Sequence, residues 1–352
     1  MRYVEHTASF LAALAALGCG ENFPPPSQVS GVRVLAVRPT PASGAPGATV
    51  HLSMLLADSR EVDPNYAGVD RPLNVLWFAG CHNPPGRQYF ACLPGLRALA
   101  QGLSDASAPL PPEAAGLVGA GLEFDVTLPD DVLSAAPVVE HDPVHYGVSY
   151  VFFVACAGTP AYDPTVQEGL PVTCSAEGKK IGASGLVVGF TTIYTYEGSQ
   201  NEAPVMTSLD FDGEAMPASF ATAPATPCVS DDECAGDYRH RRVCTADTRT
   251  CAPVIGACTG ETCPPLKVTP HLDTASVEQF TGGNEIMWAS FYASSGAVSA
   301  PTRLLVDRNT GITSDFSEEW RMPGSPRTSR IWVTINDQRG GADWGFFDVS
   351  VQ

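Results

Sequence analysis

The sequence predicts a mainly β protein built from two β-sandwiches in tandem, and three observations support this. Glycine and proline are abundant, with 33 and 31 among 352 residues, which favours turns and short strands over long helices. Short runs of β-branched and aromatic residues recur between turn signals. Apolar residues make up 44% of the chain and charged residues only 16%, so packed cores can form. The length alone indicates two or three domains.

Six predicted strands form the first sandwich, over residues 32–200. Residues 49–57 alternate, with Val50, Leu52, Met54 and Leu56 on one face. Residues 148–155 are nearly all apolar, as expected of a central strand buried on both faces. The other four runs are 32–37, closed by Pro39 and Pro41, and 73–79, 122–128 and 186–196. With Trp77 on the third strand, the set resembles an immunoglobulin-like sandwich, and the resemblance implies this architecture.

An insertion interrupts this pattern over residues 93–121. Leu96, Leu99, Ala100 and Leu103 have helical spacing, so the sequence predicts a short helix. A loose segment with three prolines follows this helix. We expect the apolar stripe of the helix to pack on the sandwich.

The second sandwich is predicted over residues 201–352. Its first strand is expected within 201–213, and later strands at 285–292, 302–306, 330–336 and 344–351. The chain ends with a strand, a turn containing Asp337, Gly340 and Gly341, and a returning strand. This ending resembles the last hairpin of PKD-like and bacterial immunoglobulin-like domains, which implies the fold and no particular activity. Trp288 is expected in the core.

The cysteines predict disulfide bonds. Eleven are present, and ten of them fall in local groups, which fits an oxidising compartment. These ten are Cys81 and Cys92, Cys156 and Cys174, and the cluster Cys228, Cys234, Cys244, Cys251, Cys258 and Cys263. The cluster lies in an insertion over 227–264 that resembles small EGF-like or dickkopf-like disulfide knots. Its six cysteines allow 15 pairings, of which proximity suggests only Cys258 with Cys263. Zinc, with His240 nearby, is the weaker alternative.

The N-terminus predicts export. Arg2 precedes a short apolar run over 10–17, which is too short to span a bilayer. The run leads into Ala16, Leu17, Gly18 and Cys19, which resembles the lipobox of bacterial lipoproteins. The resemblance implies a signal peptide over 1–18 and diacylglycerol on Cys19. Residues 19–31 then read as a lipidated cysteine and a proline-rich tether. An ordinary secretory signal is the alternative.

Charge restricts the partners. The net charge of −18 argues against a nucleic-acid partner, because phosphate binding needs basic residues. It argues equally against electrostatic docking on anionic lipid.

Candidate sites for chemistry are few. Asp210, Asp212, Asp231 and Asp232 are weak calcium candidates, with solvated acidic turns as the alternative. His141 and His145 could share a metal only on a helix, which Pro143 disfavours. Ser184 lacks the full Gly-x-Ser-x-Gly context of a nucleophilic serine. We therefore predict no catalytic residue, no metal site beyond the weak calcium candidates, and no cofactor.

The layout resembles uncharacterised surface lipoproteins of Gram-negative bacteria. The resemblance implies an envelope location, and Gly20 after Cys19 favours the outer membrane, on either face. The leading hypothesis is a non-enzymatic module that binds an unknown protein or glycan, or acts as a spacer. Two alternatives are an accessory lipoprotein of a secreted hydrolase or transport complex, and a calcium-dependent adhesion module.

Overall fold

The computed structural model describes residues 25–62, 72–102, 114, 116–138, 144–221, 225–236, 239–245, 249–258, 263–280 and 282–352. The described residues are mainly β, which confirms the predicted class. Cys19, the predicted signal peptide and most of the loose segment of the first insertion lie outside them.

Ten strands lie in the described part of the N-terminal half. They are β1 Val32–Thr40, β2 Thr49–Asp58, β3 Asn74–His82, β4 Val118–Ala120, β5 Glu123–Thr127, β6 Tyr146–Cys156, β7 Thr159–Tyr162, β8 Val172–Ala176, β9 Lys179–Lys180 and β10 Leu186–Tyr196. The α-helix of the described residues, α1, spans Leu93–Gly102. Short 3-10 helices occupy Ser59–Val62, Pro85–Arg87, Tyr89–Cys92 and Ala183–Gly185.

Fifteen further strands lie in the described C-terminal half. They are β11 Met206–Phe211, β12 Glu214–Ala215, β13 Ser219–Phe220, β14 Arg242–Cys244, β15 Cys251–Ile255, β16 Leu266–Leu272, β17 Gln279–Phe280, β18 Gly283–Asn284, β19 Met287–Ala293, β20 Ala297–Val298, β21 Thr302–Asp307, β22 Gly311–Ile312, β23 Glu318–Arg321, β24 Arg327–Asp337 and β25 Ala342–Val351. Two 3-10 helices lie at Asp231–Cys234 and Thr274–Ser276.

Two sheets form what we call the N-terminal sandwich. One has the order β1-β2-β5 and the other β10-β6-β3-β4. Alternate residues of each strand face a shared core, which includes Leu52, Val126 and Ile193. Trp77 is fully buried there, stacked on Phe124 with ring centroids 5.9 Å apart. This core fixes which face of each strand points outward.

Helix α1 covers part of the outer face of the second sheet. Leu96 and Ala100 are buried and pack with Phe78 and Phe152, so the helix lies on the sandwich as expected. The Cys81–Cys92 disulfide joins β3 to the segment that enters this helix.

Two larger sheets form the C-terminal sandwich. Their strand orders are β12-β11-β16-β23-β20 and β14-β15-β25-β24-β19-β21-β22, and β13 also pairs with β25. Leu209, Phe291, Trp320 and Ile335 are among the buried residues of the core between them. The sheets of the two sandwiches are separated by residues 197–205, close to the boundary predicted at residue 200. The division into independent domains stays a prediction.

The structure differs from the sequence expectations at several strands. Strand β1 continues through Pro39 to Thr40, because an edge strand tolerates a proline that donates no hydrogen bond. The predicted insertion contains strand β4, which pairs with β3. In β19 the residues buried in the core are Met287, Ala289 and Phe291, so Trp288 is only half-buried.

Five disulfides join the ten cysteines of the described residues. Cys81 pairs with Cys92 and Cys156 with Cys174. In the cysteine-rich insertion, Cys228 pairs with Cys244, Cys234 with Cys251, and Cys258 with Cys263. Cys258–Cys263 is the pair expected from proximity. The other two disulfides of this insertion are interleaved in the sequence, and their pairing could not be predicted from it. The eleventh cysteine of the chain is Cys19.

Candidate functional site

The two sandwiches meet at an apolar contact. Val29, Ala36, Leu55 and Ala57 pack against Trp332, Ala342 and Trp344, and all seven are buried. The backbone around Val29 exchanges hydrogen bonds with that of Ala293, each 2.9 Å long. Residues 25–31, the last part of the predicted tether, therefore pack at this contact instead of extending freely, because Val29 is apolar and finds a core to enter.

Polar contacts surround the apolar one, and we call the set of Asn201, Glu278, Glu285, Asp337 and Arg339 the junction cluster. Asn201 donates from Nδ2 to Asp337 Oδ2 over 3.0 Å. The other oxygen, Oδ1 of Asp337, accepts from the backbone N–H groups of Arg339 and of Gly341, at 2.7 and 2.8 Å. Asp337 thereby shapes the turn between β24 and β25 and holds the linker between the sandwiches.

Glu285 lies within the junction cluster and has a 0% exposed surface. Neither of its carboxylate oxygens has a hydrogen-bond partner in the described structure. Burial raises the pKa of Glu285 to about 9, and the nearby carboxylates of Asp337 and Glu278 add to this. The guanidinium of Arg339 acts in the opposite direction. Burial disfavours the charged form of a carboxyl group, which is why the pKa of Glu285 is raised.

Arg339 has its own partner in the cluster. It donates from Nη1 to Glu278 Oε2 over 2.7 Å. Its guanidinium also lies over the rings of Tyr196 and Phe280, at 4.4 and 5.0 Å from their centroids. Because Tyr196 ends β10 of the N-terminal sandwich, this side chain connects both sandwiches.

A second pair of charges crosses the contact. Arg38 Nη1 lies 3.8 Å from Asp343 Oδ1, which is an ion pair without a hydrogen bond. Asp343 Oδ2 accepts from the backbone N–H of Met206 at 2.8 Å. Burial raises the pKa of Asp343, and the charge of Arg38 opposes this.

A groove of about 420 Å³ runs along the same contact. Its walls are strand β1, strand β10, Trp288 and the turn over residues 336–342. Asp337 lines it, so one side of the junction cluster faces space that solvent can enter.

An exposed aromatic surface lies on the outer face of the β10-β6-β3 sheet, and its residue Phe190 also lines the groove beside Asp337. Tyr89, Phe90 and Phe190 are 41%, 53% and 39% exposed. The rings of Tyr89 and Phe190 have centroids 4.3 Å apart, and Phe190 also contacts Tyr150. We call Tyr89, Phe90 and Phe190 the aromatic face. Exposed rings in one patch are typical of binding surfaces.

The acidic residues proposed from the sequence do not come together into one site. Asp210 pairs with His271 at 2.8 Å. Asp212 lies 2.8 Å from Arg239 and 3.4 Å from His240. Asp231 accepts from the backbone of Cys244 and lies 3.5 Å from Arg241. The exposed Asp232 sits beside it on the 3-10 helix.

The remaining candidates that the structure describes have structural contacts. His141 lies outside the described residues, and His145 Nδ1 lies 3.6 Å from Glu197. Ser184 belongs to the 3-10 helix before β10. Cys228, Cys234 and Cys251 have sulfur atoms close enough to share a metal ion, but each forms a disulfide.

Sequence reasoning missed both the junction cluster and the aromatic face. Asp337 stood out only as part of a turn, and Glu285 only as the start of a strand. A glutamate directly before a buried strand was the available signal for Glu285. Among the described residues, no helix is both long enough and apolar enough to cross a membrane.

Comparisons with known proteins do not assign the chain to a family. No family model and no curated protein matches the chain. Among solved structures it is similar to Escherichia coli alpha-2-macroglobulin activated by porcine elastase, with 13% identity and a TM-score of 0.18. The alignment covers 94% of this chain and 22% of that one, so the chain spans about a fifth of its length. A likeness at this score carries no argument about fold or function.

Proposed function

We propose that the protein is a non-enzymatic envelope lipoprotein whose β body binds a partner or acts as a spacer outside the cytoplasm. Lipid on Cys19 anchors it, and the glycine at position 20 favours the outer membrane. In this proposal the two sandwiches are immunoglobulin-like modules in tandem, the second of them PKD-like.

The observation that carries the proposal is the distribution of the cysteines. All ten cysteines of the described residues form disulfides, and these persist in an oxidising compartment such as the periplasm or the cell surface. The remaining cysteine, Cys19, ends the lipobox-like sequence. Export and lipidation together account for the odd number of cysteines.

The aromatic face supports a binding role. Aromatic side chains offer large apolar contact area with little conformational entropy to lose, so they suit both protein and glycan ligands. The aromatic face lies on a sheet whose other side packs on the core around the buried Trp77. The Cys81–Cys92 disulfide ties the 3-10 helix of Tyr89 and Phe90 to strand β3 of this sheet. A rigid platform lowers the entropy cost of binding.

The anchor is tested by mass spectrometry of native protein from the envelope. We expect a mature N-terminus at Cys19 carrying acyl mass, and a Cys19→Ala variant that lacks this mass and leaves the membrane fraction. An unprocessed Met1, or a mature protein without acyl mass, would contradict the anchor.

The binding role is tested with full-length protein in detergent against immobilised envelope glycans and solubilised envelope proteins. We expect the double change Tyr89→Ser with Phe190→Ser to weaken retention at least about tenfold, because the rings supply the contact area. Ile312→Ser is the matched control, since Ile312 is an exposed apolar residue of the other sandwich. Equal retention of both variants would show that the aromatic face is not the binding surface.

A further inference from the structure

We propose that the junction cluster binds one calcium ion through Glu285, Asp337 and Asn201, and that the ion fixes the two sandwiches together. This site differs from the acidic candidates found in the sequence. It rests on oxygens of Glu285 and Asn201 that the described structure leaves without partners.

The junction cluster contains buried oxygens without hydrogen bonds. Both carboxylate oxygens of Glu285 and the amide oxygen Oδ1 of Asn201 lack a partner, and both residues are buried. Buried polar groups are normally satisfied, because leaving one without a partner is costly. These three atoms of Glu285 and Asn201 are all oxygen acceptors, so one cation bound between them would satisfy all three.

The residues of the proposed site are neighbours in the fold. Asn201 is hydrogen-bonded to Asp337, and the backbone N–H of Glu285 donates to the carbonyl of Glu278 over 2.9 Å. Asp337 is also paired with Met287, two residues after Glu285, in the β19–β24 ladder. The linker, strand β24 and the segment before β19 thus converge on the same place.

Negative charges exceed positive ones among the groups at this contact. Four carboxylates meet at this contact, those of Glu278, Glu285, Asp337 and Asp343. Two of them have an arginine, since Arg339 pairs with Glu278 and Arg38 with Asp343. Among the residues that the structure describes, no basic side chain forms an ion pair with Glu285 or Asp337, and the two carboxylates together would balance the charge of one divalent ion.

The chemistry of the donors selects the ion. Carboxylate and amide oxygens are the ligands that calcium takes, in sets of six to eight with flexible geometry. Magnesium requires a near-ideal octahedron and keeps several waters. The groove beside Asp337 gives access for the ion and for water ligands. The competing state is a neutral Glu285 that keeps its proton and binds no ion.

The test uses full-length protein in detergent, stripped with chelator and then titrated with calcium chloride in a calorimeter. We expect one calcium per chain and a rise in Tm of at least about 2 °C at saturation. Glu285→Gln, which keeps the volume of the side chain and removes the charge, should lose both the heat and the rise in Tm.

Asp232→Asn is the matched control, since it removes an exposed carboxylate of the cysteine-rich insertion. It should bind calcium as the unmodified protein does. Absence of binding heat in the unmodified protein would overturn the proposal and leave Glu285 as a neutral acid. Binding retained by Glu285→Gln would also overturn it, because the ion would then lie elsewhere. Asp337→Asn is the second variant in case Glu285→Gln does not fold: it should also lose the binding heat, and binding retained by it would overturn the proposal. Because purified protein is used, the result is independent of lipidation and of export.

Discussion

Asn201 Nδ2 donates a hydrogen bond to Asp337 Oδ2 across 3.0 Å, and both residues are buried. The backbone N–H of Asn201 donates in turn to Ser43 Oγ over 2.7 Å. One linker residue is therefore bonded to a loop of the N-terminal sandwich and to the last hairpin of the C-terminal sandwich. The relative position of the two sandwiches depends on this residue as well as on the apolar contact.

Removing this link should destabilise the protein. We expect Asn201→Ala, in chelator, to lower the free energy of unfolding by about 1–2 kcal/mol, because Asp337 loses a donor in a buried place. Urea unfolding followed by tryptophan fluorescence measures the change. Asn284→Ala is the control, since Asn284 makes a 3.3 Å hydrogen bond to Arg308 O at the surface. An equal loss in both variants would contradict the role of Asn201.

Gly340 gives a second prediction at the same contact. Its φ is +95°, and a Cβ there would lie 3.2 Å from Thr192 O and 3.3 Å from the ring of Tyr194. Gly340→Ala should therefore cost the strain of positive φ and also push the turn away from β10. Gly178 has φ +74° with no atom within 4 Å of a Cβ, so Gly178→Ala isolates the strain.

We expect Gly340→Ala to lower the free energy of unfolding by about 1 kcal/mol more than Gly178→Ala does. Chemical unfolding of both variants gives the comparison. If the two costs are the same, the contact between the turn and β10 contributes nothing to stability.

Part of this architecture could be predicted from the sequence. Strand β10 has the bounds expected from its apolar run, and alternation identified the core face of β2. Such signals are local, since they depend only on residues next to one another in the chain. Strand β16 was missed because Pro270 and His271 interrupt an otherwise alternating run.

The sites could not be predicted in this way. The junction cluster joins residues 201, 278, 285, 337 and 339, whose proximity depends on how the two sandwiches pack. The aromatic face depends on register, which places Phe190 opposite Phe152 in the β10–β6 pair. The acidic residues that do stand together in the sequence have basic or backbone partners nearby, such as His271 for Asp210. Adjacent charges in a sequence therefore indicated solvated or paired groups, not a site.

The disulfides should differ in their contribution to stability. Cys156 and Cys174 are both fully buried and are 18 residues apart, whereas Cys258 and Cys263 are 5 apart. A longer closed loop restricts the unfolded chain more, which gives about 3 kcal/mol for the first and about 2 kcal/mol for the second. Replacing each pair by alanines and measuring urea unfolding tests the order. A larger cost for the Cys258–Cys263 pair would contradict the loop-length argument.

His82 gives a prediction for pH. It ends β3, and its Nδ1 lies 2.8 Å from Oγ of the buried Ser149. Burial lowers the pKa of His82 below its ordinary value of 6.5, although the charge of Asp131 opposes this. As the pH falls through 6.5, the unfolded chain takes up a proton at His82 before the folded protein does. The contribution of neutral His82 to the free energy of unfolding is therefore complete above pH 6.5. This contribution is lost as the pH falls toward the lower pKa that His82 has in the folded protein.

The stability of the protein should accordingly fall between pH 7 and pH 5 relative to that of His82→Gln, with a slope of at most about 1.4 kcal/mol per pH unit for one proton. Glutamine keeps a hydrogen-bonding side chain and does not titrate. The buried acids Asp337, Asp343 and Glu285 have raised pKa values, so their contributions to stability rise as the pH falls. These contributions are the same in both proteins and cancel when the two free energies of unfolding are subtracted. Urea unfolding at several pH values gives both curves, and parallel curves would show that His82 titrates alike in the folded and unfolded states.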